Sequence, residues 1–227
     1  MYDLYIANKN YSSWSARPWV LMRELKIAFR ERMVPFGQES CWQSFRKISS
    51  SGRVPCLLDG DTAVWDSLAI VEYLAERHAG VWPAPAHARA WARSAAAEMH
   101  SGFSELRSRC SMTCGQRIRL HEYPVPLERD IARLGALWNE GLRRFRGPFL
   151  AGGGFSAVDA FFAPVAFRIQ SYGLHLDASA AAYAGRLLAT RSLREWYADA
   201  LKETLRDPAH EEDVSRSGTV LQDLRAT

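Results

Sequence analysis

The serines of Asn8-Lys9-Asn10-Tyr11-Ser12-Ser13-Trp14-Ser15 are the residues of this chain best placed to do chemistry. They follow a short apolar run, Leu4 to Ala7. Behind them Trp19, Val20 and Met22 recur at helical spacing, and Pro18 fits the first turn of that helix. Ser12, Ser13 and Ser15 thus cluster where a strand hands over to a helix, whose N-terminal partial positive charge favours an anion. A hydroxyl there can donate a hydrogen bond to a thiolate. A thiol titrates near ~8.5, so stabilising its anion by roughly 1.4 to 3 kcal/mol lowers the pKa by about one to two units. That leaves it largely ionised at neutral pH. The alternative is that these serines only cap a helix and fill a turn, as Ser-rich turns commonly do.

A second group lies in residues 52–74, GRVPCLLDGDTAVWDSLAIVEYL. Residues 56–59 and 63–65 are apolar and flank Asp59-Gly60-Asp61, a hairpin signal. Ser67 reads as the N-cap of a helix carrying Leu68, Ile70, Val71 and Leu74 at helical spacing. Such a helix start offers free N–H groups to a carboxylate. A Val54-Pro55 bond, if cis, would turn the Val54 backbone outward to pair with an extended peptide. Together these devices point to a site for a small acidic peptide.

Elements must hold these groups in place. Residues 1–80 alternate as strand, helix, strand, helix, strand, strand, helix, with 29–35 the second strand and 39–48 a short helix. Gly80-Val81-Trp82-Pro83-Ala84-Pro85 punctuates as a linker. Beyond it the spacing predicts helices only, over 87–114, 127–145, 156–171, 180–190 and 192–205, with Pro164 kinking the third. Residues 206–227 are polar and highly charged and read as a loosely packed tail. Ser156-Ala157-Val158-Asp159 is a capping box, the Asp reaching back to the Ser N–H.

The chain resembles a cytosolic glutathione transferase, as a bacterial member of its serine-type classes, zeta and theta among them. The resemblance rests on four motifs in family order: Tyr11-Ser12-Ser13-Trp14-Ser15-Ala16-Arg17-Pro18-Trp19, Val54-Pro55, Asp66-Ser67, and the run 149–165 around the capping box. It implies an α/β thioredoxin-like domain over 1–80, a linker at 81–86, and an all-α domain over 87–227 that holds the electrophile pocket. It implies glutathione as co-substrate, with Asp66 and Ser67 on the γ-glutamyl end. Val54, ahead of Pro55, would pair its backbone with the cysteinyl unit, and Arg53 would reach the glycyl carboxylate. Ser13, four residues before Arg17 as in theta-like sequences, or Ser12, matching the zeta-like pattern, would activate the thiol. Trp14 stands where the zeta-like pattern often has a cysteine. Trp14, Phe103, Arg107 and Cys110 are candidates for the pocket of a hydrophobic electrophile. Homodimerisation and a role in detoxification follow from the same resemblance. Conjugation competes with a glutathione-dependent isomerase of the maleylacetoacetate type, a peroxidase, and a non-catalytic binder.

Composition agrees with a soluble, cytoplasmic enzyme. A formal net charge of +4 is too small to argue for nucleic acid, and no basic helix is interleaved with aromatics. The N-terminus has no apolar signal core, and no uncharged stretch reaches transmembrane length, so no membrane partner is expected. Cys41, Cys56, Cys110 and Cys114 form no disulfide framework. Cys110 and Cys114 could share one helical face, but their spacing with His100 and His121 is poor for zinc, and no metal is expected. No cysteine stands at the first strand–helix junction, which argues against the cysteine-type classes. Gly152-Gly153-Gly154 lacks the Gly-Lys-Ser/Thr of a phosphate loop. The arginines at 107, 109, 117, 119, 143, 144 and 146 read as a solvated face.

Overall fold

A computed structural model of the chain describes residues 1–37, 46 and 48–226. Most of the expected 39–48 helix, and Cys41, lie outside the described residues. The apolar run at the start becomes β1 (Tyr2–Ile6), followed by α1 (Ser13–Glu24) and β2 (Phe29–Met33). The hairpin forms as β3 (Cys56–Asp59) and β4 (Thr62–Trp65), closed by two residues with Gly60 at φ +58, where a side chain would be strained. α2 (Ser67–Ala75) follows. The sheet order is β2-β1-β3-β4, with β1 parallel to β2 and antiparallel to β3. A parallel pair needs a crossover, and α1 supplies it.

The remainder is mostly helical: α3 (Ala86–Ser101), α4 (Ser104–Arg109), α5 (Val125–Phe145), α6 (Ala157–Tyr172), α7 (Ala178–Ala189), α8 (Arg191–Lys202) and α9 (Pro208–Ser217). α6 is buried almost all round, as its near-continuous apolar sequence requires, and packs on α1, α3 and α7. Trp19 of α1 meets Trp196 of α8 edge-on, with centroids 5.2 Å apart, which joins the sheet side to the helical side. No described helix is long and apolar enough to cross a membrane.

Three expectations are corrected. The helix over 87–114 is two pieces. Gly102 and Phe103, the latter at φ +54, end it, and Arg107 Nη1 donates to the freed carbonyls of His100 and Gly102 at 3.0 and 3.3 Å. Cys110 therefore caps α4, and Cys114 lies beyond any helix, so the two share no helical face.

The region after the linker is also not helical only. β5 (Gln116–Leu120) pairs antiparallel with β6 (Gly218–Asp223), and β6 belongs to the supposed loose tail. That tail is built in. Val214 is buried, and the Arg225 guanidinium, also buried, pairs with Glu211 and Asp223 and donates to Tyr11. Arg225 is thus satisfied by carboxylates of the same segment, while Glu212 and Arg216 stay exposed.

The Ser156–Asp159 capping box forms, and Asp159 does more than cap. It is fully buried and accepts from Ser156 N, Leu150 N and Tyr183 OH at 3.0, 3.0 and 2.8 Å, and from Ser156 Oγ at 3.3 Å. Burial pushes its carboxyl up to about 6 against the pull of these donors. A folded-state pKa above the unfolded 3.8 means that its contribution is fully present below pH 3.8 and is lost as pH rises through about 6. At about 1.4 kcal/mol per unit, the stability advantage of wild type over Asp159→Asn should shrink by on the order of 3 kcal/mol between acid and neutral pH. Urea unfolding across that window checks this, and a pH-independent gap would contradict it.

Candidate functional site

The polar turn after β1 is held firmly before it can act. Lys9 is buried, with Nζ 2.8 Å from Asp199 and 3.0 Å from Glu31, over the rings of Trp19 and Trp196. The Asn10 side chain donates to the Ala200 carbonyl and Glu203 and accepts from Gly115 N. Residues of β2, of α8 and its C-cap, and Gly115 ahead of β5 thus fix the turn that presents Ser12 and Ser13.

Ser12 caps α1 and is buried, and its Oγ donates to Ser15 Oγ at 2.6 Å. Ser15 Oγ in turn accepts from Ala7 N at 3.4 Å. Ser13 is the first residue of α1, half-buried, and its hydroxyl has no protein partner among the described residues. The proton of Ser12 is thus directed inward, and that of Ser13 is left for the cleft.

The cleft consists of two cavities that share Trp14, Arg53, Val54 and Arg107. The larger, about 660 Å³, is walled by Ser12 and Ser13, by Arg107 of α4, by Met112 and by Arg168 of α6. Tyr11, Phe36 and His210 form its remaining side, and the His210 ring stacks on Tyr11 at 4.9 Å. The supposed tail therefore supplies part of the wall. The smaller, about 520 Å³, is lined by Pro55, Trp65, Asp66, Ser67 and His100. The Val54-Pro55 bond is cis.

Ser67 is not the N-cap. Asp66 is, at φ +75, with its carboxylate accepting from Leu68 N at 2.7 Å. With ψ at 136 this lies outside the left-handed helical region and is a strained conformation for any residue but glycine. Ser67 begins the helix, is fully buried, and accepts from Arg17 Nη1 at 3.3 Å, so its own proton is free for a ligand.

Arg17 is the residue that sequence reasoning missed. It is 3% exposed and lies 4.1 Å from the Trp14 ring centroid and 4.7 Å from that of Phe161. Nη1 also meets His100 Nδ1 at 3.5 Å, and Nε has no partner. Burial, with the nearby Arg168 and Arg107 charges, lowers its pKa to about 9. An arginine cannot accept, so the Nδ1 that faces it carries no proton. His100 is then the Nε2–H tautomer, with Nε2 3.6 Å from Asp66. Arg168 was missed as well. Its signal was a lone cation in the apolar run of α6.

Of the pocket candidates, Trp14 and Arg107 line the cleft, while Phe103 and Cys110 are buried away from it. Burial pushes the Cys56 thiol up to about 11 and Cys110 to about 12, and it raises Cys114 too, so none is a ready nucleophile. Arg107 departs from the expected solvated face, whereas Arg109 keeps to it in pairing with Glu105 at 2.9 Å.

Comparison with known proteins agrees with this geometry. Residues 7–82 match the family described as glutathione S-transferase, N-terminal domain. No curated protein matches the sequence. Among solved structures, the chain is similar to a glutathione transferase homologue from Burkholderia with bound glutathione (23% identity, TM-score 0.64, 88% of this chain and 97% of that one). It is also similar to glutathione transferase Omega 3C from Trametes versicolor (19%, 0.66, 91% and 90%) and to a Tau class enzyme from mango (17%, 0.67, 95% and 96%). The protein has the glutathione transferase fold: a thioredoxin-like N-terminal domain with a mixed sheet, and a mostly helical C-terminal region.

The Arg17 contact makes a spectroscopic prediction. His100 should be neutral and Nε2-protonated at neutral pH, and should titrate below its ordinary 6.5, chiefly because burial disfavours the cation. The Asp66 charge opposes that shift, so Asp66→Asn should lower the midpoint further. Nitrogen-detected NMR of the ring reads both tautomer and midpoint, and a midpoint above 6.5 would contradict the assignment.

Proposed function

We propose that the protein is a glutathione transferase that ionises the glutathione thiol with a serine hydroxyl and conjugates it to an electrophile. The single observation that carries this reading is that one cleft is lined by the β1–α1 serines, by Val54 beside its cis proline, and by the start of α2. Each fits a different part of one acidic tripeptide. The γ-glutamyl carboxylate meets the Ser67 hydroxyl and the α2 N-terminus, which carries a partial positive charge. Val54 pairs its backbone with the cysteinyl unit, and exposed Arg53 meets the glycyl carboxylate. In this reading residues 1–80 bind glutathione, 81–86 link, and 87–227 supply the electrophile wall.

Between the two serines, the hydrogen bonding favours Ser13. The Ser12 proton already serves Ser15, whereas the Ser13 hydroxyl is uncommitted. A hydrogen bond to a charged acceptor is worth about 1.5 to 3 kcal/mol, which corresponds to a thiol pKa lowered by one to two units. Among the described residues Cys56, Cys110 and Cys114 are buried, which speaks against thiol–disulfide exchange through them.

The test is steady-state conjugation of a generic electrophile, run beside glutathione calorimetry. Ser13→Ala should lower kcat/KM by about tenfold or more near neutral pH with little change in glutathione affinity. Ser12→Ala should do less. Ser67→Ala should instead weaken glutathione by about 1 to 3 kcal/mol. If wild type binds glutathione but turns over no electrophile, the non-catalytic binder replaces this reading.

A further inference from the structure

Two arginines, Arg107 and Arg168, line the larger cavity, and among the described residues neither forms a salt bridge. Arg168 is 5% exposed and lines the larger cavity, with Nε on the Cys110 carbonyl at 2.7 Å and Nη1 3.4 Å from the Pro164 carbonyl. Arg107 lines both cavities, spends its Nη1 protons on two backbone carbonyls, and lies 4.8 Å from the Trp14 ring centroid. Arg17 lies beneath Trp14 with Nε unpartnered. Among the described residues no carboxylate comes within 4.0 Å of any of the three. Buried charges are normally paired, because an uncompensated one is strongly destabilising. Burial lowers Arg168 to about 10, with a smaller contribution from the Arg107 charge. Such a cluster is stabilised when an anion enters.

Glutathione does not supply that anion at this wall. On the reading above, its two carboxylates are taken by the α2 N-terminus and by Arg53, both on the sheet side. Arg107 and Arg168 belong to α4 and α6, on the helical side. Tyr11, Phe36 and Met112 line the same cavity and offer an apolar counterpart.

We propose that the larger cavity takes a carboxylate-bearing electrophile, its carboxylate held by Arg168 and Arg107 and its apolar part against Tyr11, Phe36 and Met112. This rests on the glutathione transferase reading and narrows its second substrate, replacing a merely hydrophobic electrophile with an amphipathic acid. An α,β-unsaturated keto acid fits. The thiolate sulfur gives its electron pair to the β-carbon, forming the C–S bond. The C=C π pair moves onto the carbonyl as an enolate, which takes a proton from water. The hydroxide left matches the proton lost when the thiol ionised, and nothing is oxidised or reduced.

The experiment uses an unreactive keto acid, 3-benzoylpropionate, and its neutral primary amide. Each is titrated calorimetrically into the full chain, with and without saturating glutathione, and glutathione is titrated separately. Wild type should bind the carboxylate about tenfold or more tighter than the amide, as charge-assisted contacts to arginine would give. In Arg107→Gln and Arg168→Gln the preference should fall towards parity, and Arg168→Lys, which keeps the charge if the glutamine variant misfolds, should retain part of it. Equal binding of acid and amide, binding of neither, or a preference that survives both glutamine substitutions would overturn the proposal. Failure of glutathione to bind would instead overturn the transferase reading, and the acid–amide ratio measured without glutathione would still decide the anion site.

Discussion

One buried cation organises this cleft. Arg17 sits between the Trp14 and Phe161 rings and touches Ser67 and His100. Those four residues belong to α1, α6, α2 and α3. A single planar guanidinium thus connects the serine turn, the helix start beside the cis proline, and the helical region that faces both. Its planarity matters: a lysine would offer a point charge, without the stacking surface or the fork of donors. Because Arg17 donates to Ser67 and to His100 Nδ1, it also sets which of their protons remain available. The Ser67 hydroxyl keeps its own proton uncommitted, and His100 turns its N–H toward Asp66.

The second constraint is the clamp on the turn before α1. Lys9 and Asn10 are buried polar residues, tolerable only because Asp199, Glu31, Glu203 and backbone carbonyls satisfy them. The Lys9 carbonyl accepts from Trp196 Nε1 at 2.9 Å, so the turn is bonded through its backbone as well. Further out, Tyr11 donates to Glu211, and Arg225 donates to Tyr11. The loop that presents the serines is therefore held through side chains and backbone alike. A preorganised hydroxyl is what stabilisation of an anion requires, since no reorganisation is then needed when charge develops.

The local features were legible in the sequence. The hairpin with its glycine, the capping box and the long helices follow from turn chemistry and periodicity, which act over a few residues. What escaped depends on distant partners. The β5–β6 ribbon joins residues about a hundred apart; β5 alternates over only Arg117 to Leu120, and its partner β6 is polar and exposed, so the pairing leaves little local signal. The break at Gly102 and Phe103 hides inside a good helical pattern. Arg17 stood in the motif in plain view, but only the fold shows that it is buried. The cap moved by one residue, from Ser67 to Asp66, because Asp66 adopts a positive φ that no propensity would choose. Asp66 lines the cleft, and Gly102 and Phe103 precede Ser104, which lines it too.

The central claim is that the bound thiol is ionised by its surroundings. The direct measurement is the ultraviolet absorbance of the thiolate against pH, taken on wild-type protein saturated with glutathione and on glutathione alone. The account expects the bound thiol to reach half-ionisation about one to two units below the free value of ~8.5. Coincident titration curves for bound and free glutathione would contradict it.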